Sequence, residues 1–316
     1  MDAIVSVCRG YPPRRSGHKS VLLRSRGVVS QLSTQFHWRS PMLLLLSMAS
    51  IHSGAAIAKS LFTQVSPFGV VSLRLGLGAL VLLSVARPRW RQYTWQDYRL
   101  LGLLGLSMGV MNALVYHAIA YIPIGVGVTL EFVGPLGVAL VHSRRGTDLL
   151  WVAMAAIGVV LLAPVGNISL HPIGVVLALM SGGCWAAYIV LAASVGRVFP
   201  GIEGLAMAIA LGAIGVVPFG IVSDGARLLS PSILIAGLAV AVLSSALPYA
   251  LEMAALRQLP IKAFGVFMSL EPAVASGIGL LLLGEQLSFR MVSAMALVCF
   301  ASAGSTLLPA SHPNSG

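Results

Sequence analysis

Between Pro41 and Pro309 the chain offers one apolar block of about 20 residues after another, parted only by short polar breaks. That pattern restricts the fold more than any motif does. A helix closes all its backbone hydrogen bonds within itself, so blocks of this length read as helices that can cross a bilayer. The remaining composition agrees. Only 9% of the 316 residues are charged, against about 25% in soluble domains, so a water-facing surface cannot be assembled. With 57% hydrophobic residues and a mean hydropathy of +0.92, the solvent the chain expects is lipid.

Ten helices are predicted, near 41–62, 67–86, 99–121, 123–142, 149–166, 173–196, 204–222, 232–256, 262–283 and 291–308. The net charge of +11 does not form a nucleic-acid surface, because the basic residues occupy alternate loops rather than one element with interleaved aromatics. With a cytoplasmic amino terminus, sixteen Lys and Arg residues fall inside, among them Arg144, Arg145, Arg197, Arg257 and Lys262; Arg227 and Arg290 fall outside. This bias places both termini in the cytoplasm. Trp38, Trp90, Trp95 and Trp151 lie at predicted helix ends, where indoles favour the interface, and Trp185 lies mid-helix.

Residues 1–40 are rich in Arg, Ser and Gly, and Val21–Leu23 is too short for a signal-peptide core. This segment is expected to be a basic, disordered cytoplasmic tail, or an over-extended start; a transit peptide is the rarer reading. Residues 309–316 make a short C-terminal tail. Cys8, Cys184 and Cys299 are far apart and suit packing rather than a disulfide or zinc site. The histidines, among them His18, His37, His142 and His312, show no metal spacing, and no cofactor, metal or catalytic cluster is expected.

An internal regularity organises the chain. The stretch Ala118–Ile124, with Pro123, returns 137 residues later as Ala255–Ile261, with Pro260, and the same spacing carries Pro135 onto Pro272 and Asp148 onto Glu285. The expected fold is therefore an all-α integral membrane protein with ten transmembrane helices as two inverted five-helix repeats, 41–170 and 171–308. An odd number of spans turns the second copy upside down, which puts a site near the midplane and suits alternating access. Gly105 and Gly109 form a GxxxG pair for close helix packing.

Five ionisable residues fall inside predicted spans: Lys59, Arg74, Glu131, Glu252 and Glu271. Each costs about 2.5–3.5 kcal/mol at a helix centre, so such groups face a cavity or a partner. Glu131 and Glu271, at a depth of about 12 Å from opposite faces, are the leading candidates for binding cargo or coupling to a proton. The Arg74 fork suits a carboxylate. Lys59 lies nearer a helix end and can also snorkel, while Glu252, five residues from Arg257, reads as a gate or ion-pair residue rather than a ligand. His52, Asn112, Tyr116, Trp185, Tyr188 and Tyr249 are pocket or gate candidates, with Ser53 and His117 as further polar neighbours.

The runs Met48–Phe62, Leu73-Arg74-Leu75-Gly76, Leu130-Glu131-Phe132-Val133-Gly134-Pro135, Ser143-Arg144-Arg145, Leu247–Met253 and Met268-Ser269-Leu270-Glu271-Pro272 together carry a resemblance. Over residues 40–308 the chain resembles the EamA-type branch of the drug/metabolite transporter superfamily, within it the bacterial threonine/homoserine exporters. The basic tail and the His52-Ser53 pair depart from that pattern. The resemblance implies an inner-membrane exporter of threonine, homoserine and related small amino acids, with protons as coupling ion and the lipid bilayer as surroundings; a homodimer is left open. It further implies that Lys59, Arg74, Glu131, Glu252 and Glu271 carry the function. Export of another solute, such as a drug, nucleobase or carboxylate, and a polytopic membrane enzyme acting on a lipid-linked substrate are the competing readings.

Overall fold

The computed structural model describes residues 39–141, 146–161, 170–256 and 267–307. Arg144, Arg145, Arg257, Pro260, Lys262, both tails beyond these limits and Cys8 lie outside the described residues, as do the charge and repeat arguments that rest on them. Among the described residues every regular element is helical.

The first part of the chain comprises α1 (Arg39–Ser60), α2 (Pro67–Ala86), α3 (Trp95–Tyr121), α4 (Ile124–Glu131), α5 (Val133–Val141) and α6 (Gly146–Leu161). The second part comprises α7 (Pro172–Val198), α8 (Glu203–Asp224), α9 (Pro231–Ala241), a π-helical turn at Val242–Ala246, α10 (Leu247–Leu256), α11 (Glu271–Leu283) and α12 (Phe289–Leu307). Among the described residues five helical stretches are long and apolar enough to cross a membrane: Pro41–Thr63, Pro67–Ala86, Trp95–Tyr121, Pro172–Val198 and Glu203–Leu229.

Local chemistry explains the boundaries that differ from expectation. The third helix begins at Trp95 rather than near residue 99, because Thr94 and Asp97 form a reciprocal capping box that opens it earlier. The fourth block is interrupted at Phe132, giving α4 and α5. Pro135 has no N–H for the carbonyl of Glu131 one turn back, so the ladder loosens there. The eighth block widens into the π turn just before Pro248, for the same reason. Ser66 caps α2 by accepting from Gly69 N (3.1 Å) while Asp224, at the end of α8, accepts from Ser66 N and Oγ (2.8 and 2.6 Å).

The packed body carries large apolar side chains on its outside and several polar or ionisable ones within an otherwise apolar core. Ile214, Val222, Leu281 and Phe289 are largely exposed, whereas His52, Asn112, Ser181, Glu131 and Glu271 are buried. Exposed apolar side chains together with buried ionisable ones are what a lipid solvent selects. Trp95 is exposed at its helix end as expected. The Trp151 ring lies against the backbone of Gly304 on α12, where an added Cβ would meet it at 2.4 Å.

Helices approach through small residues. The expected Gly105–Gly109 pair faces α8, where a Cβ on Gly105 would lie 2.5 Å from Ala208 O and one on Gly212 would lie 2.6 Å from Gly105 O. A second crossing positions the functional site. A Cβ on Gly182 of α7 would stand 2.7 Å from Glu131 O, and one on Gly134 would collide with Gly182 O. The α4–α5 interruption is thereby pressed backbone to backbone against α7.

Candidate functional site: an internal polar cavity

A cavity of about 500 Å³ lies between α1, α2, α3, the α4–α5 interruption, α7, the π turn, α10, α11 and α12. Most of its lining is apolar, including Ile119, Val128, Leu136 and Ile189, with a few converging polar groups. Of the residues singled out in the sequence, Glu131, Glu271, Arg74, His52, Asn112, Tyr116, Trp185, Tyr188 and Glu252 all line it. Ser53 and His117 do not; the His117 ring packs on Phe68 with centroids 4.3 Å apart. The side chain of Tyr249 lies outside what is described.

Arg74 is held on one wall of this cavity. Its Nη1 donates to Tyr116 Oη at 2.9 Å and its Nη2 to the carbonyl of Ser244 at 3.1 Å, and its guanidinium carbon stands 5.3 Å from the Tyr116 ring centroid. The second contact depends on Pro248, which cannot give an N–H back to the preceding turn. Side chains take the carbonyls there: Ser50 Oγ donates to Leu243 O at 2.7 Å, and Arg74 takes Ser244 O. Arg74 Nε is buried without a hydrogen-bond partner. A guanidinium fixed on two sides with a donor left over is suited to an incoming carboxylate.

Two carboxyl groups differ in their surroundings. Glu131, at the end of α4, accepts from Ser181 Oγ on α7. Glu271, the first residue of α11, has Oε1 3.5 Å from His52 Nε2, yet neither His52 Nε2 nor Glu271 Oε2 makes a hydrogen bond. Buried groups in that state are rare enough to need a reason. Glu252 accepts from Ser47 Oγ at 2.8 Å towards one end of the cavity. Among the described lining residues one guanidinium thus faces three carboxyl groups and one imidazole. In an apolar shell that surplus of acid groups has to be matched by protons or by a cationic cargo.

Glu131 and Glu271 each sit beside a proline of the 137-residue spacing, but they are not equivalent positions. The counterpart of Glu131 is Met268, which also lines the cavity, and that of Glu271 is Gly134, which packs on Gly182.

Lys59 is placed elsewhere. Its Nζ donates to Glu285 Oε1 at 2.6 Å and to Ile122 O at 2.9 Å, and it does not line the cavity. Glu285, carried on a turn through Gly284, accepts from Ile124 N with both oxygens (3.2 and 3.0 Å) and so caps the start of α4. The ion pair ties α1 to the turn after α11 and to the start of α4. Sequence reasoning did not assign Glu285 this role, although its spacing from Asp148 had marked it. It also missed Ser181, Ser47 and the Ser244 carbonyl. Pro248 was the available signal for the last of these; the two serines carry none that sets them apart.

Comparison with known proteins agrees with this architecture. Residues 172–307 match the model of the EamA-like transporter family. The threonine/homoserine exporter RhtA of Salmonella typhimurium (strain SL1344) is 46% identical over 273 residues, covering 85% of this chain and 92% of the relative. RhtA of Escherichia coli (strain K12) is 44% identical over the same shares. One solved crystal structure shares the fold with a TM-score of 0.59 at 19% identity, covering 84% of this chain and 96% of its own. The curated relatives are exporters, so the membrane-enzyme reading falls away. This chain is a membrane protein that belongs to the EamA-like transporter family.

Proposed function

We propose that the protein exports threonine, homoserine and related small amino acids across a bacterial inner membrane, exchanging them for protons by alternating access. The observation that carries this is the cavity itself, in which Arg74, Glu131 and Glu271 converge within an apolar shell. A zwitterionic amino acid presents one carboxylate and one ammonium, which is the complement of that set. The carboxylate meets Arg74. The ammonium displaces a proton from Glu131, or from Glu271, so that cargo and proton compete for one site; competition of this kind couples opposite fluxes. Glu252 stands towards the cytoplasmic end, with both termini on that side.

Helix neighbours support the reading as two inverted repeats, 41–170 and 171–308. Under the 137-residue spacing the first block corresponds to the sixth, the second to the seventh, and so on to the fifth and tenth. Packing respects that exchange: α3 lies on α7 as α10 lies on α1, and α4 and α5 lie on α7 as α11 lies on α1. The blocks expected to sit on the axis pack on their own counterparts, α2 on α8, α4 on α11 and α6 on α12.

The test uses inverted membrane vesicles carrying the protein and labelled threonine under an imposed proton gradient, acidic inside. Accumulation that needs both protein and gradient is expected, and Glu131→Gln should abolish it. Accumulation at the wild-type rate in Glu131→Gln would remove that residue from the mechanism, and none in wild type would remove the function.

A further inference from the structure

His52 and Glu271 meet across the cavity wall from α1 and α11 with hydrogen-bonding capacity to spare. Both are more than nine-tenths buried, at 3% and 7% exposure. His52 Nε2 and Glu271 Oε1 are 3.5 Å apart without forming a hydrogen bond, and Glu271 Oε2 has no partner either. Buried donors and acceptors nearly always find partners, so these two atoms suit a group that the protein itself does not supply.

The chemistry that such a group must have is specific. An imidazole N–H offers a donor and a carboxylate oxygen offers an acceptor. An ammonium can only donate, and a second carboxylate can only accept. A hydroxyl does both. Arg74 and Glu131 already suit the two charged ends of an amino acid, and they are anchored by other residues: Arg74 by Tyr116 and Ser244, Glu131 by Ser181. The His52–Glu271 pair is left over for a third group.

We infer that His52 and Glu271 read the side-chain hydroxyl of the cargo, with His52 Nε2–H donating to the hydroxyl oxygen and the hydroxyl donating to Glu271 Oε2. This rests on the proposed amino-acid cargo and adds to it a basis for choice among amino acids. Shape alone separates threonine from its isostere valine poorly, whereas a site built to bond a hydroxyl is left with two empty polar groups when valine occupies it. His52 and Glu271 are therefore specificity residues, and the same pair serves homoserine through a longer reach.

The test is displacement of labelled threonine from the purified full-length chain in detergent, by unlabelled threonine and by valine. In the wild type, valine should compete at least about 100-fold more weakly. His52→Leu should bring the ratio below about 10-fold by weakening threonine alone, and His52→Gln, which keeps a donor, should recover discrimination. A general loss of fold would weaken both competitors and leave the ratio in place. An unchanged ratio in a His52→Leu protein that unfolds at the wild-type temperature overturns the inference, and so does a wild type that binds threonine and valine alike. That last result would leave the amino-acid cargo standing, whereas a wild type that binds no threonine removes the cargo reading and this inference with it.

Discussion

At the scale of single residues, the candidate site holds one charge firmly and leaves other polar groups incompletely satisfied. Arg74 reaches Tyr116 and Ser244 through separate nitrogens, which a lysine cannot imitate. Arg74→Lys keeps the charge but loses the fork, and should raise the threonine Kd by about 10- to 100-fold in equilibrium binding. Glu131 depends as much on glycine as on Ser181. Because a Cβ on Gly182 would stand 2.7 Å from Glu131 O, Gly182→Val forces α7 away from the interrupted helix. It should cost about 1–3 kcal/mol in detergent unfolding and weaken threonine binding together with it. Much of this residue-level picture was legible beforehand, because a charge in an apolar block announces itself: Arg74, Glu131, Glu252 and Glu271 all reach the cavity. Lys59 shows the limit of that signal. Its distance from the middle of the helix was readable, but its partner Glu285 lies 226 residues away in a short turn, and only the fold brings them together.

At the scale of elements, prolines beside the cavity interrupt helices where polar chemistry is needed. Pro135 follows the break after Glu131, Pro248 follows the π turn, and Pro272 opens α11 beside Glu271. Pro248→Ala restores an N–H that competes with Arg74 for the preceding carbonyls. It should raise the unfolding temperature while slowing export in vesicles, since an interior helical proline is costly to the fold. The Lys59–Glu285 pair joins α1 to the turn after α11 and to the start of α4. Lys59→Met leaves that carboxylate without its cation and should cost about 1–3 kcal/mol in the same unfolding assay. Outside the spans, Tyr93 donates to Glu203 at 3.0 Å, and burial together with that contact pushes its phenol up to about 12. The raised value means that the neutral phenol is favoured in the fold. Its contribution is complete below about pH 10, where the unfolded tyrosine titrates, and is lost as pH rises towards about 12. Tyr93→Phe should remove that alkaline step from the stability profile. Block positions were readable from hydropathy, whereas the capping box at Thr94, the interruption at Phe132 and the π turn required attention to single hydrogen-bonding groups.

At the scale of the molecule, an apolar exterior encloses a cavity whose walls come from both halves of the chain. The proposed repeat organisation rests on the spacing in the sequence, and residues from both halves of the chain line the cavity. Sequence could not show how the polar groups divide within the cavity, because that division rests on contacts such as Ser181 with Glu131 and His52 with Glu271 between helices distant in the chain. In the proposed cycle, cargo and proton cannot occupy the same carboxyl group at once. Proton release on binding, measured with a pH indicator in weakly buffered detergent solution, tests this most directly. The account predicts about one proton released per threonine bound, and none from Glu131→Gln; threonine that binds to the wild type without releasing a proton would contradict it.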